Sequence, residues 1–323
     1  MVSFSVVIIS HGQEDQLQKC LGSLRPGIEN GQIILVGNGS LISESTYAFA
    51  RALTPDVEVV NFEEKQTEGK ARNAALPFVK HEWIYFVDES AYLSPKYFEH
   101  LTPLLNQERI EVLGGPEVFA KSMNSFSQSY AITLGSPFCS GKSFTRHQPK
   151  GRQLIPASEE MLTSANIWIR THLIREVTFP ENYKYKEDTA FLVDLTNFGA
   201  KMFYYPSLIV ARHHELSLKG MWRETFDSGF YRSEFMKEKK NAGSFSFWLP
   251  ALFVLSHGLA LASPEAFWLF ARIYLGLVVM MSLNLAARKQ KLGLFLQISF
   301  LHYFIVMVYG LGFLGSRLGF KLR

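Results

Sequence analysis

The sequence predicts an α/β domain built from parallel βαβ units, followed by a C-terminal α-helical region suited to a membrane. Three observations carry that prediction. Short β-rich runs alternate with helical patterns through the N-terminal third, the arrangement that gives parallel sheets. The apolar run WIYFV (83–87) leads straight into Asp88, Glu89 and Ser90. A buried strand therefore delivers carboxylates to its carboxyl end, where open α/β sheets keep their ligands. Apolar and aromatic residues then dominate 245–314, whereas 1–243 has the composition of an ordinary soluble domain.

The elements follow in order. SFSVVIIS (3–10) is a first strand; it lacks a basic n-region and a small-residue cleavage site, so it does not read as a signal peptide. EDQLQKCLGSL (14–24) has a helical pattern, QIILVGNGS (32–40) is a second strand ending in a Gly/Asn turn, and SESTYAFARAL (43–53) is helical. VEVVNF (57–62) is a third strand, TEGKARNAALPFV (67–79) opens a helix, and EWIYFVDES (82–90) is the fourth strand. IEVLGGPEVF (110–119) reads as a strand with a Gly-Gly-Pro break, and 135–153 as a mobile basic loop rich in Gly and Ser. MLTSANIWIRTHLI (161–174) returns to regular structure. In KEDTAFLVDLTNFG (186–199), Phe191, Leu192, Leu195 and Phe198 share a helical face and Gly199 is the stop. KMFYYP (201–206) and LIVARHH (208–214) are β-like.

Beyond these, Leu218, Met221, Trp222, Phe226 and Phe230 recur at helical spacing within 216–236, either for a membrane interface or for packing on the protein. KEKKNAGS (237–244) is a linker. Of the three apolar segments 247–263, 266–287 and 293–314, the second and third are long enough to cross a bilayer. The first is short, with Pro250 and His257. The expected organisation is a catalytic domain over 1–214, an interface helix and linker over 215–244, and a membrane region over 245–323. If the first two segments both cross, a third full crossing would strand Arg317, Lys321 and Arg323 outside; by the positive-inside tendency Gly310, Gly312 and Gly315 are instead expected to break the third segment, so that it dips in and returns and the basic clusters stay cytoplasmic. The net charge of +4 is too mild to suggest nucleic acid. Cys20 and Cys139 have no metal spacing and read as ordinary thiols of a reducing compartment.

SVVIIS, IILVGNGS, EGKARNAAL, FVDESAYLSP, SANIWIR and KEDTAFLVDLTNFGAKMFYYP stand in the order and rough spacing of family 2 glycosyltransferases with the GT-A (Rossmann-like) fold. The resemblance covers about 3–214; the GSPFCSG loop, the His213–His214 pair and the hydrophobic tail are similar to the membrane-attached bacterial branch that builds exopolysaccharide. It implies transfer of a sugar from a nucleotide-sugar donor to a lipid-linked or glycan acceptor, at the cytoplasmic face of the inner (plasma) membrane, in a multi-pass protein contacting membrane lipids.

The residues are read against that expectation. A departing diphosphate carries negative charge that a divalent cation, Mn²⁺ or Mg²⁺, stabilises. Asp88 ends a buried strand and is the natural ligand. The family pattern here is Asp-x-Asp, and Ser90 replaces the second Asp, leaving a weak oxygen ligand without charge; Glu89 compensates only if it can turn from the opposite face. His213 and His214 suit Mn²⁺, with His213 favoured. Glu187 and Asp188 sit at a helix start, where acids are also common for electrostatic reasons. By the family match Asp188 is the base that takes the acceptor proton and Glu187 its neighbour at the acceptor.

Ser10 and His11 follow the first strand and Gly37 and Asn38 the second, where the family usually has acids contacting base or ribose. Lys70 and Arg72 are the expected cationic contacts to base or phosphate, or else a solvated helix face; Asn166 matches a family Asn beside the donor sugar. Arg146, Lys142 and Arg152 are basic-loop residues able to close over diphosphate. Two other readings compete. A nucleotidyltransferase usually has a Gly-rich, Arg-containing loop after strand one, which SHGQEDQ does not supply. A catalytically weak or silent membrane scaffold or partner subunit is favoured by Ser90 and Gly37, and opposed by Asp88, Glu187, Asp188 and the histidines. Processive synthases carry Gln-x-x-Arg-Trp; the nearest run here is GMWRETF (220–226), so one sugar per binding event is expected.

Overall fold

A computed structural model describes residues 3–120, 124–149, 151–213, 216–239, 244–258 and 262–321. His214, Arg323 and 240–243 of the expected linker lie outside the described residues. The chain forms two compact units, one of 1–120 with 145–213 and the other of 121–144 with 214–323. The division differs from the expected boundary at 214 alone, because 121–144 belongs with the C-terminal helices.

In the first unit, β1 (Phe4–Ser10), β2 (Gln32–Asn38), β3 (Asp56–Phe62) and β4 (Trp83–Asp88) alternate with α1 (Glu14–Leu24), α2 (Glu44–Arg51) and α3 (Glu68–Ala75). After β5 (Ala91–Leu93) and α4 (Tyr97–Leu105), IEVLGGPEVF divides into β6 (Val112–Gly114) and β7 (Glu117–Phe119). The Gly-Gly-Pro break sends these two strands into different sheets.

The remaining strands are β8 (Ile155–Pro156), β9 (Asn166–Arg170), β10 (Met202–Tyr204) and β11 (Val210–Arg212). The main sheet runs β3-β2-β1-β4-β9-β6-β10-β8, and β5-β11-β7 make a second, three-stranded sheet. The first four strands are parallel, with Ile9 opposite Asp88 and Ser10 opposite Gly37, so their carboxyl ends align. β9 runs antiparallel to both β4 and β6.

Alternate residues along each strand feed two apolar layers. Phe4, Val6, Ile8, Trp83 and Tyr85 pack with Leu17, Leu21 and Leu24 of α1. Val7, Ile9, Ile84 and Phe86 pack on the other face with Ala71 and Ala75 of α3. Burial on both faces explains why these strands read as continuous apolar runs.

The segment expected to be a loop is largely helical. After α5 (Ser125–Leu134), α6 (Pro137–Ser140), a 3-10 turn (Gly141–Ser143) and α7 (Phe144–His147) follow in succession. α8 (Thr171–Glu176) and α9 (Glu187–Phe198) complete the first unit. Gly199 ends α9 at φ +94°, the left-handed stop that glycine permits.

The second unit contains α5, α6, α10 (Leu218–Glu238), α11 (Leu249–Ser256), α12 (Pro264–Arg288) and α13 (Phe295–Arg317). Of the stripe, Met221 and Phe230 are buried, Phe226 is half-buried, and Leu218 and Trp222 are exposed, so it packs on protein only in part. Two spans, Pro264–Arg288 and Leu292–Arg317, are long and apolar enough to cross a membrane. α13 is continuous through Gly310, Gly312 and Gly315, against the expectation of a break. These glycines serve packing: a Cβ on Gly312 would stand 2.1 Å from the Phe226 carbonyl oxygen of α10, and one on Gly310 2.3 Å from that of Pro250 in α11.

Candidate active site

Strand ends, α3 and the segment before β9 build a cleft in the first unit, lined by His11, Glu68, Arg72, Asp88, Glu89 and Ser164 among others. β4 carries Asp88 to the rim, and the chain reverses at once. Asp88 Oδ1 accepts hydrogen bonds from the Ser90 amide at 2.9 Å and the Ser90 hydroxyl at 2.6 Å. This aspartate-nucleated turn feeds β5 into the small sheet. There β11 runs beside it with Arg212 opposite Ala91. That register brings Arg212 Nη2 to 3.3 Å from Asp88 Oδ2, Nε to 3.0 Å from the Ser90 hydroxyl oxygen, and Nη1 to 2.9 Å from Glu117 Oε1. Burial pushes the Asp88 carboxyl upward, but Arg212 and the Ser90 hydroxyl outweigh it and hold the group below its ordinary value.

Glu89 points the other way, as neighbours on a strand do. It is buried, and accepts the Ser10 hydroxyl at 2.8 Å and the His11 amide at 2.9 Å, so it ties off the end of β1. The His11 ring meets Glu68 at 3.0 Å. The Glu68 hydrogen bond raises the imidazole above its ordinary value despite burial, and burial of Glu68 is outweighed by His11 and Arg72, which lower it.

Arg72 sits one turn after Glu68 on α3 and reaches Glu187 at 2.5 Å. It also lies over the Phe179 ring, 5.3 Å from the centroid. Lys186 adopts φ +62°, an uncommon conformation for a side-chain-bearing residue, immediately before α9 presents Glu187 and Asp188. Burial raises Glu187 against the pull of Arg72. Asp188 is also opposed by burial, yet Lys186, Arg146 and Arg72 hold it ionised, below its ordinary value. Asp188 accepts the Thr189 amide at 2.7 Å, and its other oxygen faces the Ser164 amide at 3.5 Å on the cleft wall.

The expected residues divide accordingly. His11, Arg72, Asp88 and Glu89 line the cleft, with Glu187 and Asp188 linked to its wall through Arg72 and Ser164. Asn166, expected beside the donor sugar, is fully buried: its amide donates to the Leu208 carbonyl at 2.8 Å, and its oxygen accepts from Tyr85 and Tyr97. It organises the core. Asn38 is likewise consumed, bonding both the amide and the carbonyl of Gln66.

Lys70 is exposed and held by Gln66 at 3.0 Å, and Arg152 is exposed. The Arg146 guanidinium donates to the Glu159 carbonyl at 2.6 Å, while Lys142 belongs to the other unit. Gly37 has a steric reason, since a Cβ there would lie 2.2 Å from the Ser40 carbonyl oxygen and 2.5 Å from Asn61 Oδ1. Sequence reasoning missed Glu68 and Arg212. The i,i+4 spacing of Glu68 and Arg72 signals the first; Arg212 stands in LIVARHH beside two histidines whose metal-ligand chemistry is the stronger signal.

The metal donor set read from the sequence does not assemble. Ser90 gives its hydroxyl to Asp88, Glu89 turns toward β1, and His213 contributes its backbone amide to the Ser90 carbonyl at 3.2 Å. Among the described residues no group of three or more His, Cys, Asp or Glu side chains is arranged to hold a metal ion. As folded, the residues at Asp88 do not fit a divalent cation, because a guanidinium already stands there.

Comparison with known proteins adds three findings. The sequence pattern described as "Glycosyl transferase family 2" matches residues 5–178. No curated protein sequence matches. Among solved structures, the mannosyltransferase PcManGT from Pyrobaculum calidifontis, in complex with GDP-Man and Mn²⁺, is similar at 12% identity and a TM-score of 0.59, over 97% of this chain and 86% of that one. TarS 1–349 of S. aureus, in complex with UDP-GlcNAc, is similar at 14% identity and a TM-score of 0.53, over 100% and 93%. GalNAc-T7 with UDP, GalNAc and Mn²⁺ is similar at 13% identity and a TM-score of 0.51, over 77% and 54%.

Proposed function

Because this chain belongs to glycosyl transferase family 2, we propose that its cleft transfers a sugar, with inversion, from a nucleotide-sugar to a lipid-linked or glycan acceptor. The observation that carries the reading is Asp188, a carboxylate held below its ordinary value, joined to the cleft wall through the Ser164 amide and oriented on its other oxygen by the Thr189 amide. The acceptor hydroxyl attacks the anomeric carbon and gives its proton to Asp188. The bond from that carbon to the diphosphate breaks, and its electron pair leaves with the nucleoside diphosphate. Glu187 is locked to Arg72, which fixes the start of α9 and so positions its neighbour.

The donors named for the similar structures, GDP-Man and UDP-GlcNAc, support a nucleotide-sugar for this cleft without choosing between them. The two long apolar helices support attachment to a membrane. A cytoplasmic face suits a water-soluble nucleotide-sugar donor, and cell-surface polysaccharide is the product class the attached architecture suggests. A second reading, a catalytically weak scaffold, is favoured by the engagement of Asp88 with Arg212.

The experiment incubates purified full chain with several nucleotide-sugars and follows nucleotide release, with Asp188→Asn as the partner variant. Asparagine keeps the shape and cannot take the proton, so the rate should fall about 10²–10⁴-fold with donor affinity retained. Release at the wild-type rate would show that Asp188 is not the base; absence of release from either protein would favour the scaffold.

A further inference from the structure

We infer that Arg212 takes the cation's place at the end of β4, so that this chain binds the diphosphate of its donor through a fixed guanidinium and without a divalent metal. The inference rests on the nucleotide-sugar reading above. Arg212 is held by Asp88 at 3.3 Å and the Ser90 hydroxyl at 3.0 Å, both in the turn that ends β4, and by Glu117 of β7 at 2.9 Å. The Arg212 and Asp88 side chains stay 29% and 32% exposed, so the charge stands at the rim. An ion entering beside Asp88 would meet this cation and would have to displace a hydrogen-bonded side chain.

Ser90 gains a reason in the same arrangement. A second aspartate at 90 would supply the charge that a metal needs. The serine instead donates to Asp88 and accepts from Arg212, which closes the Asp88–Ser90–Arg212 triangle. Guanidinium suits the task because it stays charged at every working pH and carries five N–H donors, more than one for each of these partners. The positive charge that a bound ion brings from solution is here encoded in β11.

Calorimetry on the full chain in detergent, titrated with UDP and with GDP in EDTA and in Mn²⁺, tests this. The expected result is equal affinity in both buffers, with Arg212→Met losing about 10- to 100-fold in EDTA, the size of a lost charge-assisted hydrogen bond. Arg212→Lys, which keeps the charge, should retain most of the binding and so separates loss of charge from local misfolding. In Arg212→Met the released Asp88 should let Mn²⁺ recover part of the affinity. Wild-type binding that disappears in EDTA overturns the inference and leaves the glycosyltransferase reading intact. So does Arg212→Met binding as tightly as wild type in EDTA. Failure of the wild type to bind either nucleotide in both buffers overturns the glycosyltransferase reading, and this inference with it.

Discussion

Glu187 and Asp188 are adjacent carboxylates with opposite tendencies: burial raises the first, while Lys186, Arg146 and Arg72 depress the second. Glu187 is tied up in its ion pair with Arg72, which leaves Asp188 as the carboxylate of the two that is held as an anion without a direct cation on it among the described residues. The acid limb of the rate should therefore fall below the ordinary carboxylate range. Removing a nearby positive charge destabilises the carboxylate, so Arg72→Gln should move that limb to higher pH. It should also cost about 3–5 kcal/mol of stability, because Glu187 is left buried and unpaired. A pH–rate profile of the folded fraction checks this, and an unmoved acid limb would separate Arg72 from Asp188. At this scale the sequence was partly legible. A carboxylate closing an apolar run points to Asp88, but which side chain another chooses is set by register between distant strands. Hence Arg212, which pairs with Asp88 across 124 residues of chain, escaped notice, and Asn38 and Asn166 proved to be structural.

At the scale of elements, the first four strands and three helices were readable because buried parallel strands and amphipathic helices leave strong periodic signals. α6 and α7 were not, since helices of four residues are too short to show a period. Glycine misled in α13 for a related reason: a breaker in isolation and a contact residue in a helix pair have the same letter. The pairing of α10 with α13 depends on it from both sides, a Cβ on Gly229 meeting the Tyr309 carbonyl oxygen at 2.1 Å and one on Gly312 that of Phe226 at 2.1 Å. Gly312→Leu should thus force the helices apart at a cost of about 1–3 kcal/mol or more. Gly276→Leu, in α12 with no heavy atom within 4 Å of the added carbon, is the control and should be neutral or mildly stabilising. Thermal unfolding in detergent decides, and equal melting temperatures for the two variants would refute the packing role.

At the scale of the molecule, the apolar tail was evident from composition, but its relation to a membrane depends on which helix stands beside which. α12 exposes Trp268, Leu269, Ile273, Leu275 and Met280. α13 is accompanied instead by α10: Lys237 donates to the Ser316 carbonyl at 2.7 Å, and Ser316 donates to Glu234 at 2.5 Å. α10 also carries Arg223, Asp227 and Arg232. Were α13 to cross with this companion attached, each such charge reaching the bilayer centre would cost about 2.5–3.5 kcal/mol. With that cost keeping α13 from crossing, single cysteines at 290 and 322, in a cysteine-free background, should both resist labelling from outside intact cells. Labelling at 290 would mean that α12 and α13 cross as a hairpin and that α10 has parted from α13.

The α10–α13 pair sets a charged helix beside an apolar one, an arrangement that would ride on one leaflet like a float with a hydrophilic side. Spread at an air–water interface beneath a phospholipid monolayer, the full chain should raise the surface pressure. Film balance measurements would show it, and a chain that inserts into vesicles yet leaves the film unchanged must be reaching across.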